Sequence, residues 1–336
     1  MDESRNLTIV QGLREALREE MLRDESVFVM GEDIGIGGSF LFTLGFLDEF
    51  GPERVMNTPI SEVGFVGMGV GAAIEGMRPV IDFQYGDFLI TAADQVIQQA
   101  AKLRYMSGGQ VEVPLVFQLP TGASGRGAQH SNSLETVFFG VPGLEIVTPS
   151  SPYDAKGLFK SAVRSQNPVL FCVHKHLYGS RGRNLAHRDT STGLVPDGED
   201  YTIPFGVADI KRAGTDVTVV ANLLMLHRSL KVASGLADEG ISVEVIDPRT
   251  LVPFDLDSVI ASVEKTGRLV LVDEGPRKGG WSAHVAAEVA EKGLMYLDAP
   301  IERVTSLDTP MPYAPGLEEA VVPSTDDIEA AIRRII

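Results

Sequence analysis

The chain has 336 residues, 35 of them glycine and 19 proline, and its 29 lysines and arginines against 46 aspartates and glutamates give a net charge of −17. At roughly 150 residues per domain the length predicts two domains, and ordinary hydrophobic and charged content excludes a disordered chain or a fibrous repeat. The acidity excludes a nucleic-acid partner, because the densest basic stretch, residues 175–188, is diluted by Gly, Ser and His.

Residues 7–23 carry Ile9, Leu13, Leu17 and Met21 at helical spacing, and a short strand follows at 27–30. A second strand is predicted at 80–83, then a long helix over 88–106 closed by Gly108 and Gly109. Apolar strand-like runs occupy 114–119 and 144–147, followed by a helix at 152–165 and a strand at 169–173. Continuous apolar strands alternating with helices predict a parallel sheet covered on both faces. The pattern stops near residue 177 and reads as a linker ending by residue 204. A second α/β unit follows, with strands at 217–221, 242–246 and 268–273 and helices at 225–238, 255–265, 282–292 and from 326 onward.

Cys172 is the single cysteine and lies in an apolar run, which predicts a buried, inert thiol and neither disulfide nor thiolate metal site. The N-terminus lacks a signal-peptide pattern, and the longest apolar stretch, residues 63–74, is too short to span a bilayer. A cytoplasmic or matrix-like reducing compartment is therefore expected.

Several motifs resolve on context. Gly67, Gly69 and Ala72 satisfy a dinucleotide fingerprint in spacing, but no strand precedes them; Ser61 reads better as the N-cap of a helix with Gly64, Gly67 and Gly71 along one side. Gly122-Ala123-Ser124-Gly125-Arg126 has arginine where a hydrolase elbow needs its last glycine. His174 and His176 lie on one strand face without a supporting carboxylate pattern, which suits structural histidines. Glu62 has two readings: an acid complementing the N-terminal dipole of its helix, or a carboxyl kept protonated by apolar neighbours and able to donate to a ligand nitrogen. His130 lies in a glycine-rich loop after an apolar strand, where open α/β sheets place ligand contacts, and can serve as proton donor or acceptor or as an ordinary loop residue.

Taken together, Thr58-Pro59-Ile60-Ser61-Glu62-Val63-Gly64, Asp82-Phe83-Gln84, Asp94-Gln95-Val96, Gln129-His130-Ser131, Asp247-Pro248-Arg249-Thr250 and Glu264-Lys265-Thr266-Gly267-Arg268 resemble the β subunits of thiamine-diphosphate-dependent 2-oxo acid dehydrogenases. The resemblance covers essentially the whole chain. It implies an α/β fold: a parallel-sheet, thiamine-diphosphate-binding domain of the transketolase pyrimidine type over 1–190, a linker over 191–204, and a smaller transketolase C-terminal domain over 205–336. It implies that Glu62 bonds the aminopyrimidine ring of the cofactor, that Phe88 stacks on that ring, and that Ile60 and Gln84 are neighbouring contacts. It further implies that His130 assists acyl transfer to a lipoyl group, and that the backbone carbonyls of Leu115, Ala162, Ser165 and Asn167 hold potassium.

The Gly-Asp-Gly motif that binds the diphosphate through magnesium has no counterpart; Pro196-Asp197-Gly198 is the nearest string. The chain thus reads as half a cofactor site. An α subunit is implied to supply the other half and its magnesium, in an α2β2 heterotetramer that transfers acyl units from pyruvate, branched-chain 2-oxo acids or acetoin to lipoamide. Eight acids against three arginines after residue 292 suit docking of a basic domain of the dihydrolipoyl acyltransferase core. Half of a split transketolase is the alternative within the fold, and a non-catalytic scaffold subunit is the alternative outside catalysis.

Overall fold

The computed structural model describes residues 4–179, 192–198 and 200–336, so Arg181, Arg183 and Arg188 of the basic stretch lie outside it. Contacts divide the chain into two units, Met1–Thr121 with Gly140–Phe205, and Gly122–Phe139 with Gly206–Ile336.

In the first unit β1 (Ser4–Thr8) leads directly into α1 (Ile9–Arg23). Thr8 caps that helix reciprocally: its Oγ1 accepts from the Gln11 amide at 3.3 Å, and Gln11 Oε1 accepts from the Thr8 amide at 2.8 Å. The apolar stripe Ile9, Leu13, Leu17 and Met21 is buried as its spacing predicts. There follow β2 (Val27–Gly31), α2 (Phe46–Phe50), β3 (Val55–Asn57), α3 (Glu62–Ile74), β4 (Arg78–Asp82), α4 (Leu103–Met106) and β5 (Val116–Thr121). The chain then passes through residues 122–139, which carry α5 (Leu134–Phe138) and belong to the second unit. It returns as β6 (Glu145–Val147), α6 (Pro152–Arg164), β7 (Val169–His174) and β8 (Thr192–Pro196). Strands β6-β7-β5-β4-β2-β3 form a parallel sheet in that order. Every residue of β2, β5 and β7 is buried, the signature of a sheet covered on both faces.

Two parts of this unit depart from the sequence reading. Residues 88–106 do not form one helix; a 3₁₀ segment (Gly86–Ala92), a π-helical turn (Gln95–Ala100) and α4 follow one another. The spacing is helical, but the segment must pack on both α3 and β5, and a side chain at Gly86 would meet the Pro120 carbonyl at 3.0 Å. Residues 191–204, expected as linker, lie within the first unit where they are described. β8 pairs antiparallel with β1, the Tyr201 ring stacks on Tyr153 at 4.6 Å, and the Ile203 amide donates to the Gly157 carbonyl.

Helices α1 and α6 pack closely, and a Cβ on Gly12 would lie 3.0 Å from the Pro152 carbonyl oxygen. Between them lies a buried charge network. Lys156 Nζ contacts Glu15 at 3.2 Å and Glu19 at 2.8 Å, Lys160 Nζ contacts Glu19 at 2.6 Å, and Arg164 contacts the fully buried Glu20 at 2.6 Å. Both lysine side chains are only 1% exposed, which pairing alone makes tolerable.

The second unit contains β9 (Asp209–Arg212), β10 (Val217–Ala221), α7 (Leu223–Ala237), β11 (Val243–Asp247), β12 (Thr250–Val252), α8 (Leu256–Thr266), β13 (Leu269–Pro276), α9 (Trp281–Gly293), β14 (Glu302–Ser306), α10 (Pro315–Val321) and α11 (Thr325–Ile335). Its sheet runs β14-β13-β10-β11-β9, parallel except for β9. The edge strands β9 and β14 have no apolar run, which is why sequence pattern alone missed them. No helix among the described residues is long and apolar enough to cross a membrane.

Candidate active site

The site of the first unit is built at the carboxyl ends of β2, β4 and β5, where register places Gly31 beside Asp82 and Asp82 beside Gln118. The two strands approach so closely that a Cβ on Gly31 would lie 2.3 Å from the Asp82 carbonyl oxygen. Glu32 and Asp33 follow β2; Gln84 and Phe88 follow β4.

Glu62 is the first residue of α3, with Ser61 at the N-cap but without a side-chain capping bond. The carboxyl is half-buried. Ile60 is 84% and Val63 52% exposed, so within this chain those two apolar neighbours do not enclose it, while Phe65 and Val66 turn into the core. Helix α3 packs against the 3₁₀ segment that carries Phe88. The Phe88 ring is half-buried and meets Tyr85 edge-on at 5.8 Å. Gln84 is held at both ends: its Nε2 donates to Asp33 Oδ2 at 2.9 Å, and its Oε1 accepts from Ser39 Oγ at 2.6 Å.

Glu32 escaped the sequence reading. It is buried, its Oε1 has no hydrogen-bond partner, and burial together with the nearby charges of Glu62 and Asp33 pushes its carboxyl above the usual range. The only sequence signal was an acid just past the carboxyl end of an apolar strand. Asp82, also buried, is pushed well above the usual carboxylate range by burial. A carboxyl that holds its proton more tightly when folded opposes folding once pH exceeds its unfolded value, and the penalty disappears on acidification. Glu32→Gln is therefore expected to raise the melting temperature of the chain at about pH 8, with the gain vanishing near pH 4. Thermal melts at the two pH values measure it, and no gain at the higher pH would sink the desolvation account.

A flat heterocycle with an acceptor nitrogen suits this arrangement: a carboxyl at a helix start, a buried acid behind it with an unsatisfied oxygen, and an aromatic ring on an adjoining segment.

His130 lies in the second unit, on the 122–139 excursion. That loop is hung on acids of its own unit: the Ala123 amide donates to Glu274 Oε1 at 2.6 Å and the Gly125 amide to Glu318 at 2.8 Å, while the His130 amide donates to the Gly127 carbonyl. The structure thus gathers Glu62, Ile60, Gln84 and Phe88 into one unit and assigns His130 to the other.

The proposed carbonyl ligands for potassium surround the end of α6 and the start of β7. The Leu115 carbonyl accepts from the Val169 amide, Ala162 from the Ser165 amide, and Ser165 from Arg78 Nη1 at 3.0 Å. Each such oxygen retains a second lone pair. The Asn167 side chain is braced by Arg104 at 2.6 Å and Glu145 at 3.1 Å. No cluster of His, Cys, Asp and Glu among the described residues could hold a metal ion; His174 and His176 instead stack at 5.5 Å.

The helix glycines divide. A Cβ on Gly69 would press on Ile81, whereas one on Gly71 would meet nothing, and Gly64 and Gly71 are exposed. Gly67 and Gly69 lie inside α3 rather than at a strand-to-helix turn, which disposes of the dinucleotide reading.

The sequence matches the family described as “Transketolase, pyrimidine binding domain” over residues 5–181 and “Transketolase, C-terminal domain” over 206–328. It is 44% identical over 332 residues to the 2-oxoisovalerate dehydrogenase subunit beta of Bacillus subtilis (strain 168), covering 98% of each chain. It is 43% identical over 331 residues to the pyruvate dehydrogenase E1 component subunit beta of Rickettsia bellii, again covering 98% of each. A further 43% over 343 residues relates it to the acetoin:2,6-dichlorophenolindophenol oxidoreductase subunit beta of Cupriavidus necator, with 98% of each covered. A solved split-gene transketolase, described as an inactive β4 tetramer, shares the fold with a TM-score of 0.77 at 21% identity, covering 98% of both chains. The similarity to dehydrogenase β subunits is thus far higher in sequence than that to the split transketolase, and the chain belongs to the transketolase-like family of 2-oxo acid and acetoin dehydrogenase β subunits.

Proposed function

We propose that the chain is the β half of the decarboxylating component of a thiamine-diphosphate-dependent 2-oxo acid or acetoin dehydrogenase, working in the cytoplasm with an α subunit in an α2β2 heterotetramer. The observation that carries this reading is Glu62 at the head of α3, beside an orphaned buried acid, in a chain related over its full length to such β subunits.

When bound, thiamine diphosphate supplies the carbanion chemistry of its thiazolium ring. Glu62 would present its carboxyl to the aminopyrimidine nitrogen, and its charge helps push the neighbouring Glu32 carboxyl above the usual range. Phe88 supplies the stacking face, and Ile60 and Gln84 border the ring. His130 donates or accepts a proton as the acyl unit passes to lipoamide. The α subunit carries magnesium and the diphosphate half, since this chain lacks the oxygen-ligand motif. Potassium would occupy the second lone pairs of the Leu115, Ala162, Ser165 and Asn167 carbonyls and tie α6 to the sheet. The uncovered Gly64 and Gly71 side of α3 is offered to the partner.

Docking of the acyltransferase through the C-terminal domain would draw on fewer unengaged acids than the sequence count suggests, because several after residue 292 already have partners. Glu302 pairs with Arg334 at 2.8 Å, Glu329 with Arg333 at 2.7 Å, Glu318 accepts the Gly125 amide, and Asp327 caps α11 at Ser324.

The test is co-expression with an α-like subunit, followed by assay of pyruvate, branched-chain 2-oxo acids and acetoin with lipoamide as acceptor. Turnover is expected from the pair and none from this chain alone. Tight thiamine diphosphate binding and turnover by the isolated chain would overturn the half-site reading.

A further inference from the structure

Beside the edge strand β14 the second unit contains a cleft of about 400 Å³ with a divided character. Val304, Val321, Val322 and Pro323 give it an apolar lining, to which Arg277 and Arg303 add positive charge. Arg277 is exposed and Arg303 half-buried.

The hydrogen bonding of these two arginines is unusual for so acidic a chain. Arg277 Nη1 donates to the Arg303 carbonyl at 3.1 Å, and Arg303 Nη2 donates to the Arg277 carbonyl at 2.7 Å. Arg303 Nε and Nη2 also reach Ser282 Oγ, each at 3.2 Å. Among the described residues neither guanidinium is ion-paired, and Arg277 Nη2 and Arg303 Nη1 make no hydrogen bond. With 46 acids on the chain, two neighbouring arginines without an ion pair of their own stand out electrostatically. Burial, and then the charge of Arg277, push the Arg303 guanidinium below its ordinary value, and the nearby charges of Asp273, reached through Ser282, and Asp308 offset this only in part.

The other charged groups lining the cleft each have a partner, although the Asp308 carboxylate also acts on Arg303. Arg334 is paired with Glu302, Asp308 accepts the Lys278 amide at 3.0 Å, and Asp327 is turned to Ser324 at 2.6 Å. A guanidinium fork matches the two oxygens of a carboxylate or phosphate, and the adjoining apolar wall favours an anion with a short hydrocarbon body.

We infer that this cleft binds a small organic oxyanion, its charged end on Arg277 and Arg303 and its hydrocarbon end against Val304, Val321 and Val322. The inference does not rest on Glu62 or the cofactor, so its failure would leave the proposed function untouched.

The experiment is calorimetric titration of the full chain with 3-methylbutanoate, its neutral amide and inorganic phosphate. The carboxylate is expected to bind at millimolar concentration, phosphate to compete with it, and the amide not to bind. Arg277→Gln, an exposed change that leaves the fold intact, should weaken carboxylate binding about tenfold. Unchanged affinity in that variant, or equal binding of the amide, overturns the assignment. Phosphate binding without carboxylate binding overturns the role given to the apolar wall, and no binding by either anion overturns the site.

Discussion

Glu62→Gln is expected to lower turnover of the assembled enzyme about a thousandfold, the range of a lost proton donor, while leaving the chain folded and able to assemble. The amide keeps the size and hydrogen-bonding shape of the carboxyl but cannot hold or release the proton that the proposed role on the cofactor requires. The two readings of this residue then separate cleanly. If Glu62 served only to complement the dipole of α3, its replacement would cost about 0.5 kcal/mol of stability and nothing in rate. If it works on the cofactor, rate falls and stability barely moves. Steady-state assay and thermal melting on the same preparation distinguish them, and a variant with full activity removes Glu62 from the mechanism.

Gly31→Ala is expected to destabilise the first unit by about 3 kcal/mol, or roughly 6–12 °C in its melting transition. The added methyl would lie 2.3 Å from the Asp82 carbonyl oxygen, and that oxygen belongs to a central strand. Neither partner is the flexible end of a side chain, so relief requires β2 and β4 to separate. The same movement displaces Glu32, which follows Gly31 directly. Gly71→Ala is the matched control: its methyl meets nothing in the chain, and a helix interior gains up to about 1 kcal/mol from the change. Melting curves of the two variants beside the parent chain measure the contrast, and an unperturbed Gly31→Ala would show that the strand ends yield more readily than their register implies.

The inner strands of both sheets were legible because continuous apolar runs such as 27–30, 169–173 and 217–221 leave little choice about what is buried. The helices at α1, α6, α8 and α11 were legible for a related reason, since their apolar spacing and capping residues are local. Edge strands β9 and β14 were not, because an edge is defined by its neighbours rather than by its own side chains. The broken run over 86–106 failed for the converse reason: a good helical pattern was overridden by the surfaces it had to fit.

For the site, the sequence by itself determined which residues are present and which are missing: Glu62 at a helix start, Phe88 and Gln84 after the next strand, His130 in a glycine-rich loop, and no diphosphate motif. These are properties of order and spacing along one chain. Only the tertiary structure decided that Glu32 is buried with an unpartnered oxygen, that Lys156 and Lys160 are paired inside the protein, that residues 122–139 belong to the second unit, and that Arg277 and Arg303 lie side by side on one cleft. Burial and charge pairing depend on which strand ends and helix faces meet across the fold, and residues distant in sequence set the electrostatics of each group they touch.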